Sequence, residues 1–447
     1  VTQVALPLVL SSLSWTILTF IDRMFLMWWS RDAMAASFPA ALLWWSLICG
    51  PLGICLYANT FVSQYSGARQ PHHIGPVVWQ AIWIGLLATP ITMAPMLFAD
   101  SIFTTIGHAS AVRAQEVAYF RILCLSAGGM LISNAMSTFY SGRGKTHVVM
   151  LVDCGSVLLN IVLDYLWIFG HAGFPAAGIV GGGWATFVAI TAKVVVYAVL
   201  LSRSHNINQY SAMQWRLRWK LCLRMLRFGG PAGLQMLLEI SGFTVFVLLV
   251  GRLGERELTA TNLAFNISSL AFMPVFGLST AVSILVGQQL GRNQPTMAAR
   301  ATWTSVWLAT SYMFVVSALY VLVPDLFLFG FFSGTDPSNH DIRASAVVLL
   351  RYVAAYNIFD ALNLVFMNAI KGAGDTQFVF VISLAMAALL AASTWTALTV
   401  FNAGLHGCWC LITAWVWGLG MIYLGRFQVG KWRSMRVIEL EPATATS

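Results

Sequence analysis

Long apolar runs dominate the chain, and short clusters of polar residues, glycine and proline cut them at nearly regular intervals. A membrane-spanning helix needs about 20 predominantly apolar residues. Cutting at the clusters gives twelve candidates, at 4–27, 36–62, 77–98, 116–139, 147–169, 178–201, 228–250, 260–286, 301–323, 345–368, 378–400 and 405–425. The first run is too long for the apolar region of a cleaved signal peptide and no small-residue cleavage site follows it, so it reads as the first span. The chain opens on Val1 inside an apolar run, and a short native N-terminal tail is expected ahead of it. The pattern predicts an all-α polytopic membrane protein.

Composition agrees with the pattern. Of 447 residues, 58% are hydrophobic and 9% charged, against roughly 25% charged in soluble domains, and the mean hydropathy is +0.76. The net charge of +9 would suggest nucleic acid in a soluble protein, but its placement reads as topology. Arg203, Arg216, Arg218, Lys220, Arg224 and Arg227 crowd one segment, and Arg426, Lys431, Arg433 and Arg436 follow the last span. These fall on one side with Arg69, Arg143, Lys145, Arg292, Arg300 and Lys371 if both termini are cytoplasmic, which is the orientation the positive-inside rule selects. The opposite loops offset their arginines with acids, among them Asp32, Asp100, Asp325, Asp336 and Asp341. No nucleic-acid partner is expected. The seven cysteines lie mostly within apolar spans, and Cys408-x-Cys410 lacks the spacing of a metal pair; no metal centre or cofactor is expected.

The chain repeats itself. Pro7 pairs with Pro231 at an offset of 224, and at the same offset V-S-Q-Y-S-G-A-R-Q-P at 62–71 overlies V-G-Q-Q-L-G-R-N-Q-P at 286–295, with Trp79 and Trp83 over Trp303 and Trp307. After a six-residue insertion around 325–343 the offset becomes 230: Arg121 pairs with Arg351, and S-G-R-G-K-T at 141–146 with K-G-A-G-D-T at 371–376. An even number of spans per half makes the repeats parallel, two homologous six-helix bundles related by a pseudo-two-fold along the membrane normal. The expected domains are an N-terminal lobe at 1–202, a cytoplasmic basic linker at 203–227 and a C-terminal lobe with a short tail at 228–447. Trp215 and Trp219 among the linker cations suggest a helix lying on the inner membrane face, although a plain basic linker reads equally well.

Acids inside the spans need a reason, because an Asp at a helix centre costs roughly 2.5–3.5 kcal/mol on insertion scales. At 1.5 Å per residue, Glu239 lies about 16 Å into helix 7 from the inner face and Asp360 about 22 Å into helix 10 from the outer face, so the two can share a level. Tyr356, one turn before Asp360, faces the same side and can donate to either acid or offer an oxygen to a cation. Asp22 and Asp164 lie about 27 Å and 24 Å along helices 1 and 5, level with each other and nearer the outer surface. Asn160, one turn from Asp164, and Thr186 in helix 6 complete an oxygen-rich set suited to a hard cation or a proton. Neither set is duplicated: Glu239 aligns with Trp15, Asp360 with Met130, Asp22 with Phe246 and Asp164 with Thr394. Each acid could instead tie helices together through hydrogen bonds, and Asp22 could pair with adjacent Arg23. Asp153, on the Asn160 and Asp164 face but near the inner end, reads as a helix-end cap or gate contact, and Lys193 as snorkelling to inner headgroups. Pro51 and Pro274 fall mid-span in helices 2 and 8 and mark candidate kinks or gating points.

The two six-span halves, the V-x-Q-x-x-G-x-x-x-P signature after spans 2 and 8, the S-G-R-G-K-T and K-G-A-G-D-T turns, N-I-V-L-D-Y-L-W-I-F-G at 160–170 and F-G-G-P…L-L-E at 228–239 together resemble the multidrug and toxic compound extrusion (MATE) transporters, in their NorM-like bacterial branch. The resemblance spans essentially the whole chain. It implies a monomeric antiporter of the bacterial inner (plasma) membrane, not an enzyme, that exports small lipophilic or cationic compounds in exchange for Na⁺ or H⁺. The matching positions imply a C-lobe cation site at Glu239, Tyr356 and Asp360 and an N-lobe site at Asp22, Asn160, Asp164 and Thr186. The alternative is a flippase for a lipid-linked or polysaccharide precursor, which shares the two-bundle plan but would want a cationic cavity for a pyrophosphate headgroup. A channel, or an integral membrane enzyme with a metal cluster or activated nucleophile, fits less well.

Overall fold

The computed structural model describes residues 1–328 and 337–439, with side chains for all of these except 337–341. Asp336, the Asp341 side chain and the middle of the insertion expected around 325–343 lie outside the described residues. Among the described residues, twelve helices are long and apolar enough to cross a membrane. They are α1 (Thr2–Trp29), α2 (Arg31–Gly67), α3 (Ile74–Met93), α4 (Ser110–Ser141), α5 (Thr146–Phe169) and α6 (Gly178–Leu201). Then come α7 (Trp219–Val250), α8 (Glu255–Gly291), α9 (Pro295–Leu322), α10 (Pro337–Ala373), α11 (Thr376–Thr399) and α12 (Leu405–Val429). No strand occurs among the described residues. The protein is therefore an all-α polytopic membrane protein with twelve spans.

Every predicted span is a helix, and most helices overrun the apolar run that announced them. Apolarity marks only the stretch that lipid covers, whereas the backbone ladder continues until something stops it. Helices α2 and α8 have 37 residues each, about 55 Å at 1.5 Å per residue, against a hydrocarbon core of about 30 Å. Pro51 lies inside α2 and Pro274 inside α8 without ending either helix. Between α1 and α2, Ser30 caps the second helix by accepting from the Asp32 and Ala33 amides.

Burial follows the opposite logic from a soluble protein. Helices α4 and α10 are the most buried spans, 78% and 61% over their central stretches, and they are also the least apolar of the twelve. Lipid-facing helices must dissolve in hydrocarbon; an inner helix needs small residues that let backbones approach. Ser126, Ala127, Gly128, Ser133 and Ala135 on α4 meet that need.

The chain divides into two compact units. The N unit holds Leu10–Leu234, Gly287–Asn293 and the segment from Arg436; the C unit holds Val1–Val9, Gln235–Val286 and Gln294–Met435. In the N unit α4 packs on α2, α3 and α6, with α5 against α6; in the C unit α10 packs on α9 and α12, with α11 against α12. Equivalent residues make equivalent contacts. A Cβ on Gly142 would lie 3.0 Å from the Asn59 carbonyl oxygen, and one on Gly372 would lie 2.5 Å from that of Ser283. Both pairs obey the sequence offsets.

The duplicated Gln-x-x-Gly signature has a packing cause within the N unit. A Cβ on Gly67 would lie 2.0 Å from the Gln288 carbonyl oxygen, and one on Gly291 would lie 2.1 Å from that of Gln64. Each signature glycine thus makes room for the other signature's glutamine backbone. The glutamine side chains then hold flanking segments, Gln288 donating to the Gly142 carbonyl at 2.8 Å and Gln64 accepting from the Val437 amide at 2.9 Å.

The basic segment differs from the surface helix suggested by its tryptophans. Ser204–Tyr210 is a short helix, residues 211–218 run without regular structure, and α7 begins at Trp219. Helix α3 pins the irregular stretch through hydrogen bonds: Trp79 donates to the Ala212 carbonyl and Trp83 to that of Trp215, each at 2.7 Å, while Gln80 bonds the Arg216 carbonyl and the Arg218 amide.

Candidate functional site

In the N unit, Asp22 on α1 and Asp164 on α5 lie close enough to interact with each other. Gly182 of α6 faces Asp164, and a Cβ there would stand 3.6 Å from Asp164 Oδ1, an ordinary van der Waals contact. Asn160, one turn earlier on α5, is buried and donates to Thr186 Oγ1 at 3.4 Å. Thr186 in turn donates to the Gly182 carbonyl. The four predicted residues therefore lie on three adjoining helices in one cluster.

Three oxygens of this cluster, Asp22 Oδ1, Asn160 Oδ1 and Asp164 Oδ2, are buried with no hydrogen-bond partner. Unpaired buried acceptors are costly unless a proton or cation answers them. The donor set is all oxygen, which suits a hard monovalent cation. Among the described residues no group of three or more His, Cys, Asp or Glu is arranged to hold a metal ion, so amide and hydroxyl oxygens would have to share the coordination. Arg23 lies over the Phe38 ring, 5.2 Å from its centroid, and interacts with Asp22 and Tyr119. Tyr119 of α4, buried against the acid pair, was not singled out in the sequence, because a tyrosine in a buried span has no pattern that marks it.

Below this cluster, Lys193 Nζ lies 2.6 Å from Asp153 Oδ1, linking α6 to α5, with side chains only 14% and 17% exposed. Ser11 of α1 also donates to Asp153. Lys193 thus turns to an acid inside the unit and does not snorkel outward, because Asp153 gives its ammonium a partner within reach.

In the C unit, the α7 face carrying Gln235 and Glu239 meets the α10 face carrying Asp360, Asn363, Met367 and Lys371. Glu239 opens onto a small cleft lined by Leu238, Asn363, Ser383, Trp415 and Tyr423 among others. It interacts electrostatically with Asp360 and Lys371, with Gln235 one turn away on the same helix. Asp360 Oδ1 accepts from Asn363 Nδ2 at 3.4 Å, and Asn363 Oδ1 is a buried acceptor without a partner. Tyr356 is buried near both Asp360 and Ser268 of α8. Lys371, counted among the loop cations on sequence grounds, lies in α10 and donates to Gln235 Oε1 at 2.9 Å. One signal could have found it: Lys371 follows Asp360 by eleven residues, close to three helical turns, and so shares its face.

A family model described as MatE matches residues 7–166 and 231–395, two blocks that begin at the paired prolines. A probable multidrug resistance protein NorM of Mesorhizobium japonicum is 27% identical over 380 residues, 83% of this chain and 81% of that protein. Multidrug resistance protein PmpM of Pseudomonas aeruginosa is 28% identical over 389 residues, covering 85% of this chain and 79% of that protein. Among solved structures, the outward-facing conformation of a multidrug resistance MATE family transporter of the MOP superfamily superposes with a TM-score of 0.87 at 18% identity, over 96% of this chain and 95% of that one. The eukaryotic MATE transporter AtDTX14 gives 0.85 at 18% identity, over 97% and 95%. At that identity the structural likeness speaks for the fold alone.

Proposed function

This chain belongs to the MatE family of transporters, and from that premise we propose that it is a secondary active multidrug exporter, exchanging lipophilic or cationic compounds for Na⁺ or H⁺ by alternating access. The names of its relatives support the export of drugs. The observation that carries cation coupling is the cluster of Asp22, Asp164 and Asn160, with its three unanswered buried oxygens. Asp22, Asp164, Asn160 and Thr186 bind one cation or proton in the N unit; Glu239 and Asp360 bind another in the C unit, with Tyr356 packed against Asp360. Coupling works if cation and drug stabilise different conformations, because a ligand of equal affinity for both shifts no equilibrium. The bacterial inner membrane, cytoplasmic termini and a monomeric state are part of the same proposal.

A precursor flippase would want unengaged cations for a pyrophosphate. The interior lysines are engaged, Lys193 with Asp153 and Lys371 with Gln235, which favours the drug exporter.

The test is efflux of a lipophilic cation from proteoliposomes under an imposed Na⁺ gradient and, separately, a pH gradient. Wild type responds to at least one gradient. Asp22→Asn and Asp360→Asn each lower the driven rate by about tenfold or more, in line with a loss of roughly 1.4 kcal/mol per decade, while remaining monodisperse. Undiminished driven transport in both variants overturns the reading.

A further inference from the structure

The C unit holds a second charged group that the proposed cation site does not use. Lys371 Nζ donates to Gln235 Oε1 at 2.9 Å, and Gln235 stands one turn before Glu239 on α7, whose carboxylate interacts electrostatically with the lysine. The three side chains form a relay in which an amide separates an ammonium from a carboxylate. Glu239 lines the cleft, and the lysine is held one helical turn away, on Gln235. A transported cation entering by the cleft would find the acid already facing a cation that belongs to the protein.

We propose that Lys371 is a built-in counter-cation of this site: its ammonium, parked on Gln235, competes with the transported cation for Glu239 and leaves the site one monovalent charge short of neutrality. The inference rests on the reading of Glu239 and Asp360 as a cation site and adds how many charges that site takes and what opposes them.

Charge is the first argument. Glu239, Asp360 and Lys371 together carry one net negative charge, so one Na⁺ or one proton neutralises the set, whereas two acids alone would call for two. Inside a membrane an unbalanced charge is expensive, and a resident ammonium lets the empty site stand without a second counter-ion.

The second argument is that the fold does not need a lysine there. Under the offset of 230, Lys371 corresponds to Ser141, which donates to Asn59 Oδ1 at 2.9 Å in the same turn of the N unit. A neutral serine completes that turn, and the ammonium is an addition specific to the C unit.

The third argument comes from the tie between the last two helices of each unit. Asp153 and Lys193 correspond, at the same offset, to Ser383 and Tyr423, whose hydroxyls lie 3.0 Å apart. In the N unit the interior lysine is answered by its own acid. The corresponding positions of the C unit are neutral, and its interior lysine stands elsewhere, on α10, where it interacts with Glu239 of α7.

Gln235 makes the competition switchable. It is buried, and its Nε2 donates to the Met367 thioether at 3.5 Å, a weak acceptor. Re-aiming that amide therefore sacrifices little. The ammonium has two stations about 6 Å apart along α7, one helical turn: Gln235 when a cation occupies the acids, Glu239 when it leaves.

Two substitutions with opposite signs test this. Lys371→Gln removes the competitor, and Gln235→Leu removes its alternative station and drives it onto Glu239. The readouts are the Na⁺ concentration that half-saturates the shift in melting temperature of purified protein, and the Na⁺ concentration or pH that half-drives efflux in proteoliposomes. Lys371→Gln is expected to bind cation at least threefold more tightly, Gln235→Leu at least threefold more weakly, and Lys371→Arg within about twofold of wild type. Structural damage would weaken binding in both variants, so movement in the same direction overturns the proposal, as does a half-saturation unchanged in both. Should Lys371→Gln fail to fold, Gln235→Leu and Lys371→Arg decide alone, and a Gln235→Leu variant that binds like wild type overturns it. Failure of the underlying reading looks different: Glu239→Gln and Asp360→Asn would then bind and transport as wild type does.

Discussion

Asp153 and Lys193 show how much a single membrane residue depends on its neighbour. Breaking an interior ion pair leaves one charge without its partner, at a cost of about 3 kcal/mol. Asp153→Asn should accordingly lower the melting temperature of the purified protein by several degrees. Installing the C unit's own chemistry, Asp153→Ser with Lys193→Tyr, should recover most of that loss, because Ser383 and Tyr423 already make the tie without charge. A double variant as unstable as the single one would show that the two positions are not interchangeable. At this scale the sequence located the acids well. Depth counting along α1, α5, α7 and α10 placed Asp22 with Asp164 and Glu239 near Asp360, and the structure brings both pairs together. It misread the lysines, since a count of position along a helix says nothing about which way a long flexible side chain turns.

Helices in this protein are positioned by glycines at their crossings. Gly67→Val and Gly291→Val each place a side chain where a carbonyl oxygen now sits, 2.0 and 2.1 Å from the ideal Cβ. Neither backbone can yield without pulling α2 and α8 apart. Both substitutions should cost about 1–3 kcal/mol, the usual range for overpacking, and should appear as poor expression or a lowered melting temperature. Gly155→Ala on α5 is the control: nothing lies within 4 Å of its Cβ, and replacing a helical glycine by alanine should be neutral or stabilising by roughly 0.5–1 kcal/mol. Equal damage from all three would refute the crossing argument. The signature was legible in the sequence as a repeat, but its cause was not, because a motif does not name the segment across from it.

On the scale of the whole molecule, the distribution of cations makes a topological prediction. With both termini cytoplasmic, Ser434→Cys beyond α12 should resist an impermeant thiol reagent added to intact cells, and Asn402→Cys in the α11–α12 loop should react. Both positions are exposed. The background should carry Cys410→Ala, since Cys410 is the exposed native thiol among the free cysteines. The reverse labelling pattern would invert the orientation and with it the direction assigned to export.

Sequence alone determined the twelve spans, the two-fold repetition and the set of interior acids, because each is a one-dimensional property: run length, offset and position along a helix. The bilayer enforces all three, as it admits only helices of sufficient apolar length and penalises every charge within them. What the tertiary structure decided is pairing across helices. It joined Asp153 to Lys193, interlocked the two glutamine–glycine signatures and turned Lys371 from a loop cation into a neighbour of Glu239. These are matters of rotation about a helix axis and of side-chain reach, and they are set only when the facing helix is in place.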